Sequence, residues 1–262
     1  MNKEKSKKEL DALLKCIKNV NKFLKFIQIT TPTGKMPFNP YRYQIRLLKK
    51  LAETYDSPDK HNNIIVKSRQ VGMTTLLAIY ILWFALFKPD KYIGIISCTT
   101  NNAKILYDMI RGIYDSLPDF LRIKTIQNNS KYIKFANGST ICISACKSNS
   151  VKGRSIDLLV FDEAAYTKKS DFNDFIMSIF PTLAGRKSSQ IIIASTPYGT
   201  DNIFYELWKK AIENKNSFIP TKIDWRCVPH HDQIWYNKMV TDYGQAFATQ
   251  ELDAQFVGST KF

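Results

Sequence analysis

The sequence predicts an α/β fold, a mostly parallel sheet flanked by helices, and three observations predict it. Residues 64–66, 158–161 and 190–194 form short, almost wholly apolar runs, as expected of strands buried on both faces. Longer stretches of helical period alternate with these runs, the order of βαβ units. Charged or small polar residues follow each run, at the sheet edge where open α/β folds bind ligands.

Taken in order, residues 1–9 are charged and frayed, and the apolar positions Leu13, Leu14, Ile17, Val20, Leu24 and Ile27 predict an amphipathic helix with a lysine-rich back. A turn-rich connector, TTPTGKMPFNP, follows and separates an N-terminal segment (1–36) from a main domain (37–258). YRYQ then opens a helix carrying Ile45, Leu48 and Leu51. Its Gln44 is similarly placed to the adenine-reading glutamine upstream of the phosphate loop in helicase-like ATPases, where one amide donates to and accepts from the base edge. Residues 91–97 read as a strand and 101–117 as a helix, and KYIKFANGSTICISAC reads as a hairpin around Asn137-Gly138, the dipeptide favoured in type I′ turns.

Residues 61–87 read as strand, phosphate loop, helix. The pattern G-x-x-x-x-G-K-[ST] gathers backbone N–H groups and a helix N-terminus on phosphate oxygens, with a lysine for charge and a hydroxyl for magnesium. Here Lys67-Ser68-Arg69-Gln70-Val71-Gly72-Met73-Thr74-Thr75 keeps the second glycine and the hydroxyl of Thr74. Met73 stands at the lysine position and Lys67 where the first glycine is expected, so the cation has moved to the front of the loop. The other half of the site is LLVFDEAAY. Asp162 and Glu163 follow an apolar strand too costly a place to bury them. An aspartate there can hold Mg²⁺ through water, and a neighbouring glutamate can orient and deprotonate an attacking water. Ser195 and Thr196 end the third strand, as terminal-phosphate sensors or as caps of the next helix. In SNSVKGRS, Lys152 and Arg154 are candidates for an arginine-finger-type cation or a DNA contact.

Composition narrows the partners. The chain has 262 residues, 44% of them hydrophobic, enough for a full core. With 38 Lys+Arg against 23 Asp+Glu the net charge is +15, which favours a polyanion, nucleic acid before an anionic membrane, over an acidic protein. The five cysteines lack metal-site spacing and read as reduced thiols of an intracellular protein. The three histidines carry no metal-binding motif, no signal peptide is evident, and the apolar run at 76–87 is too short to span a bilayer.

In order and spacing, YRYQ, SRQVGMTT, the acid pair after LLVF, AST at 194–196 and TQELDAQF resemble the ATPase domain of the large terminase subunit, the motor that packages DNA into tailed-phage and herpesvirus capsids. The resemblance spans about residues 20–258. It implies an additional-strand, RecA-like P-loop fold that binds ATP and Mg²⁺. Lys67 and Arg69 would lie on the phosphates, Thr74 and Asp162 on magnesium and Gln44 near adenine. Glu163 would be the catalytic carboxylate, Arg154 the trans-acting finger, and Ser195 with Thr196 the coupling element. The partners it implies are double-stranded DNA, the portal protein, the small terminase subunit and further copies in a ring, often of five, in the host cytoplasm and transiently on the procapsid. The nuclease domain usual in the family has no counterpart here, so no nuclease activity is expected. Two other readings stay open: a helicase-like DNA-dependent ATPase, and a nucleotide-insensitive DNA-binding protein on a decayed scaffold, which Met73 favours.

Overall fold

A computed structural model describes residues 2–57, 62–146, 155–184 and 189–258. Its centre is an eight-stranded sheet in the order β10-β3-β9-β8-β4-β7-β6-β5. Six neighbouring strands are parallel: β10 (Phe218–Ile223), β3 (Asn62–Lys67), β9 (Gln190–Ser195), β8 (Leu158–Asp162), β4 (Tyr92–Ser97) and β7 (Thr140–Ala145). β6 (Tyr132–Phe135) and β5 (Thr125–Asn128) add antiparallel pairs at one edge. β9 is inserted between the strand leading to Lys67 and the strand ending in Asp162, so the additional strand of the P-loop class is present.

Side chains alternate across the sheet and divide the core into two layers. Ile65, Ile93, Ile95, Val160, Ile192 and Ala194 pack against α3 (Arg42–Tyr55), α4 (Met73–Phe87) and α5 (Thr100–Ser116). Ile64, Val66, Leu159, Phe161, Ile191 and Ile193 pack against α6 (Lys169–Ala184) and α7 (Ile203–Ile212). α4 is apolar all round because it is buried all round, from Leu76 through Leu86. Each Leu, Ile or Phe so buried contributes about 1.5–3 kcal/mol, which anchors the loop at its N-terminus.

Several local expectations need correction. α1 (Asn2–Lys18) begins well before Leu10, and the helix breaks at Asn19, whose φ of −150° and side-chain bond to the Asn21 N–H make it the N-cap of α2 (Val20–Phe23). Cys16, Val20, Phe23, Leu24 and Ile27 share one hydrophobic cluster with α4. The connector contains a hairpin, β1 (Gln28–Thr31) with β2 (Gly34–Pro37). The 132–145 hairpin is present, but its turn is not type I′: Gly138 N–H bonds Phe135 O and Phe135 N–H bonds Ser139 O. Of Asn137 and Gly138 only the glycine has positive φ, +86°, the three-residue turn with a left-handed bulge residue. Asn137 is drawn off to donate to the C-terminal carbonyls of α4, Ala85 O and Leu86 O.

Candidate active site

Adjacent strands β3, β9 and β8 all end on one edge of the sheet and deliver the predicted groups to one place. Lys67, the last residue of β3, is 5% exposed, and its Nζ lies 2.6 Å from Glu163 Oε1. Glu163 Oε2 lies 3.5 Å from Ser195 Oγ, at the end of β9. Thr74 Oγ1, in the first turn of α4, is 3.4 Å from Asp162 Oδ2. The cation at 67 and the acids at 162 and 163, nearly a hundred residues apart in sequence, therefore share one site.

Two strained residues shape it. Glu163 has φ 54°, ψ 42°, left-handed backbone that costs a non-glycine residue roughly 1 kcal/mol or more. That turn reverses the chain after β8 and faces the carboxylate toward Lys67. Gln70 in the phosphate loop has φ 57°. Gly72 has φ 76°, a conformation that favours glycine, and a Cβ there would sit 2.8 Å from Gln44 Nε2, which would have to shift. With Gly72 before it, α4 has no side-chain cap, and its first-turn N–H groups, which have no partner within the helix, stand at the loop.

Burial raises the Asp162 carboxyl to about 6, against the lowering pull of Lys67. A desolvated carboxylate beside a hydroxyl is a pair of hard oxygen donors, and the two fit Mg²⁺.

Other predicted residues have different positions from those expected. Arg69 does not point free toward the loop: its Nε bonds Glu251, its backbone N–H bonds Glu251 O, and its Nη2 donates to Tyr166 OH at 3.3 Å. Ser68 binds Leu252 O through its hydroxyl and Ile223 O through its N–H, fastening the loop to the C-terminal segment. Gln44 is buried; its Oε1 accepts from Tyr41 N–H at 2.8 Å and its Nε2 donates to Gly72 O at 3.3 Å. It therefore clamps the loop to α3 instead of standing open to a base. Val71 is buried and its carbonyl accepts from Tyr43 OH. Met73 is 2% exposed and belongs to the core layer under α4. Its side chain is taken up by packing. Thr75 lines a separate cleft of about 300 Å³ with Ile29, Ile105 and Met109. Thr196 is buried and bonded to Tyr166 OH at 2.8 Å. Arg154 and Lys152 lie outside the described residues.

Tyr43, Tyr166 and Glu251 join the site without having been singled out by the sequence. The first two stand inside motifs already read, YRYQ and DEAAY, and Glu251 inside TQELDAQF. Among the described residues, no cluster of three or more His, Cys, Asp or Glu is placed to hold a metal, and no helix is long and apolar enough to cross a membrane.

Fold and site together define a P-loop domain of the additional-strand, RecA-like class. Residues 64–261 match the family described as terminase large subunit, T4likevirus-type, N-terminal. The chain belongs to that family. It is 30% identical over 142 residues to the terminase large subunit of Escherichia phage T5, an alignment covering 54% of this chain and 31% of that protein, so the matched stretch spans less than a third of that relative. Its fold is similar to that of the Thermus phage P74-26 large terminase ATPase domain, with TM-score 0.63 and 20% identity over 84% of this chain and 95% of that one. The large terminase of a thermophilic bacteriophage, in complex with ATP-gamma-S, matches with TM-score 0.62 and 14% identity over 83% of this chain and 53% of that one.

Proposed function

We propose that this chain is the ATP-hydrolysing motor domain of a DNA-packaging terminase, coupling Mg-ATP hydrolysis to translocation of double-stranded DNA into a capsid. The convergence of Lys67, Asp162, Glu163, Thr74 and Ser195 on one sheet edge carries the reading. Bound Mg²⁺, held by Thr74 and Asp162, would neutralise phosphate charge. Lys67 is the only loop cation whose side chain lies among these groups, and a triphosphate would compete with Glu163 for it. Glu163, released from the ion pair, then accepts a proton from the water aligned on the terminal phosphate. Ser195, between the two, senses whether that phosphate is present. A cation from a neighbouring copy would stabilise the developing charge, with Arg154 the candidate. The relative solved with ATP-gamma-S supports ATP as ligand.

The +15 charge supports a DNA partner, bound with strong salt dependence. A ring of copies seated on a portal, a small terminase subunit as partner, and location in the host cytoplasm and transiently on the procapsid belong to the same proposal. The packing of Met73 in the core gives that residue a structural role, which supports this reading over that of a decayed scaffold.

Glu163→Gln tests the assignment. Steady-state turnover should fall by roughly 10²–10⁴-fold, with ATP-gamma-S affinity kept within a few-fold. Turnover within tenfold of the unaltered chain would remove Glu163 from the catalytic role.

A further inference from the structure

Tyr166 sits where three parts of the chain meet. Its hydroxyl is 3.3 Å from Arg69 Nη2, in the phosphate loop, and 2.8 Å from Thr196 Oγ1, one residue beyond β9. Arg69 in turn is paired with Glu251 near the C-terminal end. An arginine only donates, so the phenol oxygen accepts from Arg69, and it shares a second hydrogen bond with Thr196 Oγ1 in which either hydroxyl can be the donor. Burial raises the Tyr166 pKa, which keeps the phenol protonated. The ring packs on Tyr198 at a centroid distance of 4.7 Å, and both rings border a cleft of about 710 Å³ that leaves the pair room to shift.

We propose that Tyr166 is a positioning residue that ties Arg69 of the phosphate loop to Thr196, so that a movement of the loop on nucleotide binding is passed to the segment after β9. Arg69, Tyr166 and Thr196 are linked in series through their side chains, apart from the side-chain contact of Glu163 with Ser195. This rests on the reading that the loop binds a nucleoside triphosphate, and it adds a route by which binding is felt at β9 apart from the chemistry at Glu163.

Tyr166→Phe removes the hydroxyl and keeps the ring on Tyr198. Hydrogen–deuterium exchange of the full chain, with and without Mg²⁺ and ATP-gamma-S, reads both ends of the link. In the unaltered protein the nucleotide should slow exchange at 67–75 and change it at 195–201. In Tyr166→Phe the first response should persist and the second vanish, while kcat falls about fivefold, the worth of one hydrogen bond, and KM for ATP stays within twofold. Thr196→Val, which removes the hydroxyl that bonds Tyr166, should behave alike, and Thr196→Ser should restore the response. A response at 195–201 that survives in Tyr166→Phe overturns this inference and leaves the nucleotide reading standing. No response at 67–75 in the unaltered chain overturns the nucleotide reading and the link with it.

Discussion

β3 and β9 carry polar groups at both of their ends, and the two ends are built on opposite principles. At the amino ends, Asn63 and Gln190 are wholly buried and join a neutral network. Asn63 Nδ2 donates to Thr54 Oγ1, Gln190 Nε2 to Thr54 Oγ1 and Leu51 O, and Tyr80 OH lies 2.8 Å from Gln190 Oε1. At the carboxyl ends, a few residues along the same strands, stand Lys67 and Ser195, with Glu163 and Asp162 from β8 beside them. The neutral end ties buried polar groups to one another, which fixes α3 and α4 on the sheet. The charged end holds an ion pair that a more highly charged ligand can displace, on a backbone strained at Glu163. Substitutions at the neutral end should cost stability and spare nucleotide binding. Those at the charged end should do the reverse.

Lys67→Ala is the severest test of that division. It should weaken ATP-gamma-S binding by roughly a hundredfold, about 2.7 kcal/mol, the loss of a charge-assisted bond to phosphate. Met73→Leu, nearly isosteric in the core, should leave affinity within about twofold. Isothermal titration of the two variants decides the matter. If Met73→Leu loses more affinity than Lys67→Ala, the displaced-cation assignment fails.

What the sequence disclosed follows the same physical line. β3, β8 and β9 were legible because strands buried on both faces must be apolar, and their ends were legible because acids or cations after such a run have only the sheet edge to occupy. β1, β2 and β5 were not, since they are short, exposed and polar, as edge and hairpin strands tend to be. Within the site, the meeting of Lys67 with Glu163 was anticipated from chemistry. The pairing of Arg69 with Glu251, 182 residues away, was hidden because nothing local distinguishes it. Tyr166 reaches Arg69 and Thr196 only through the left-handed turn at Glu163, a conformation that periodicity does not reveal. Thr75 was assigned by adjacency to Thr74, but the rotation of successive residues around a helix puts it on another cleft.

The charged end should also reveal its cost through pH. The unfolded chain loses the Asp162 proton near pH 4, whereas in the nucleotide-free fold burial holds that proton to about 6. Between those values the folded state binds more protons, so the contribution of Asp162 to stability declines as pH rises through the window and is flat above it. Asp162→Asn should abolish that decline and leave the nucleotide-free domain more stable than the unaltered protein at pH 7. Urea unfolding of both proteins at pH 4.5 and 7 measures it as a difference between them. An asparagine variant no more stable at pH 7 than the unaltered protein would mean that Lys67 fully offsets the desolvation.

The mildest substitution addresses the neutral end. Tyr80 is fully buried, its phenol pKa raised well above the usual value by desolvation, and its hydroxyl lies 3.1 Å from Leu51 O as well as close to Gln190 Oε1. Tyr80→Phe keeps the ring and deletes the hydroxyl. Leu51 O retains its bond from Gln190 Nε2, while Gln190 Oε1 loses the phenol's proton. The cost is about 1 kcal/mol, or roughly 2–4 °C in Tm for a chain of this size. KM for ATP should not change, because the network lies at the far end of the strands from Lys67. A threefold change in KM with Tm unaltered would show that α3, which also carries Gln44 to the carbonyl of Gly72, transmits disturbance from one edge of the sheet to the other, and the two ends would then have to be treated as one device.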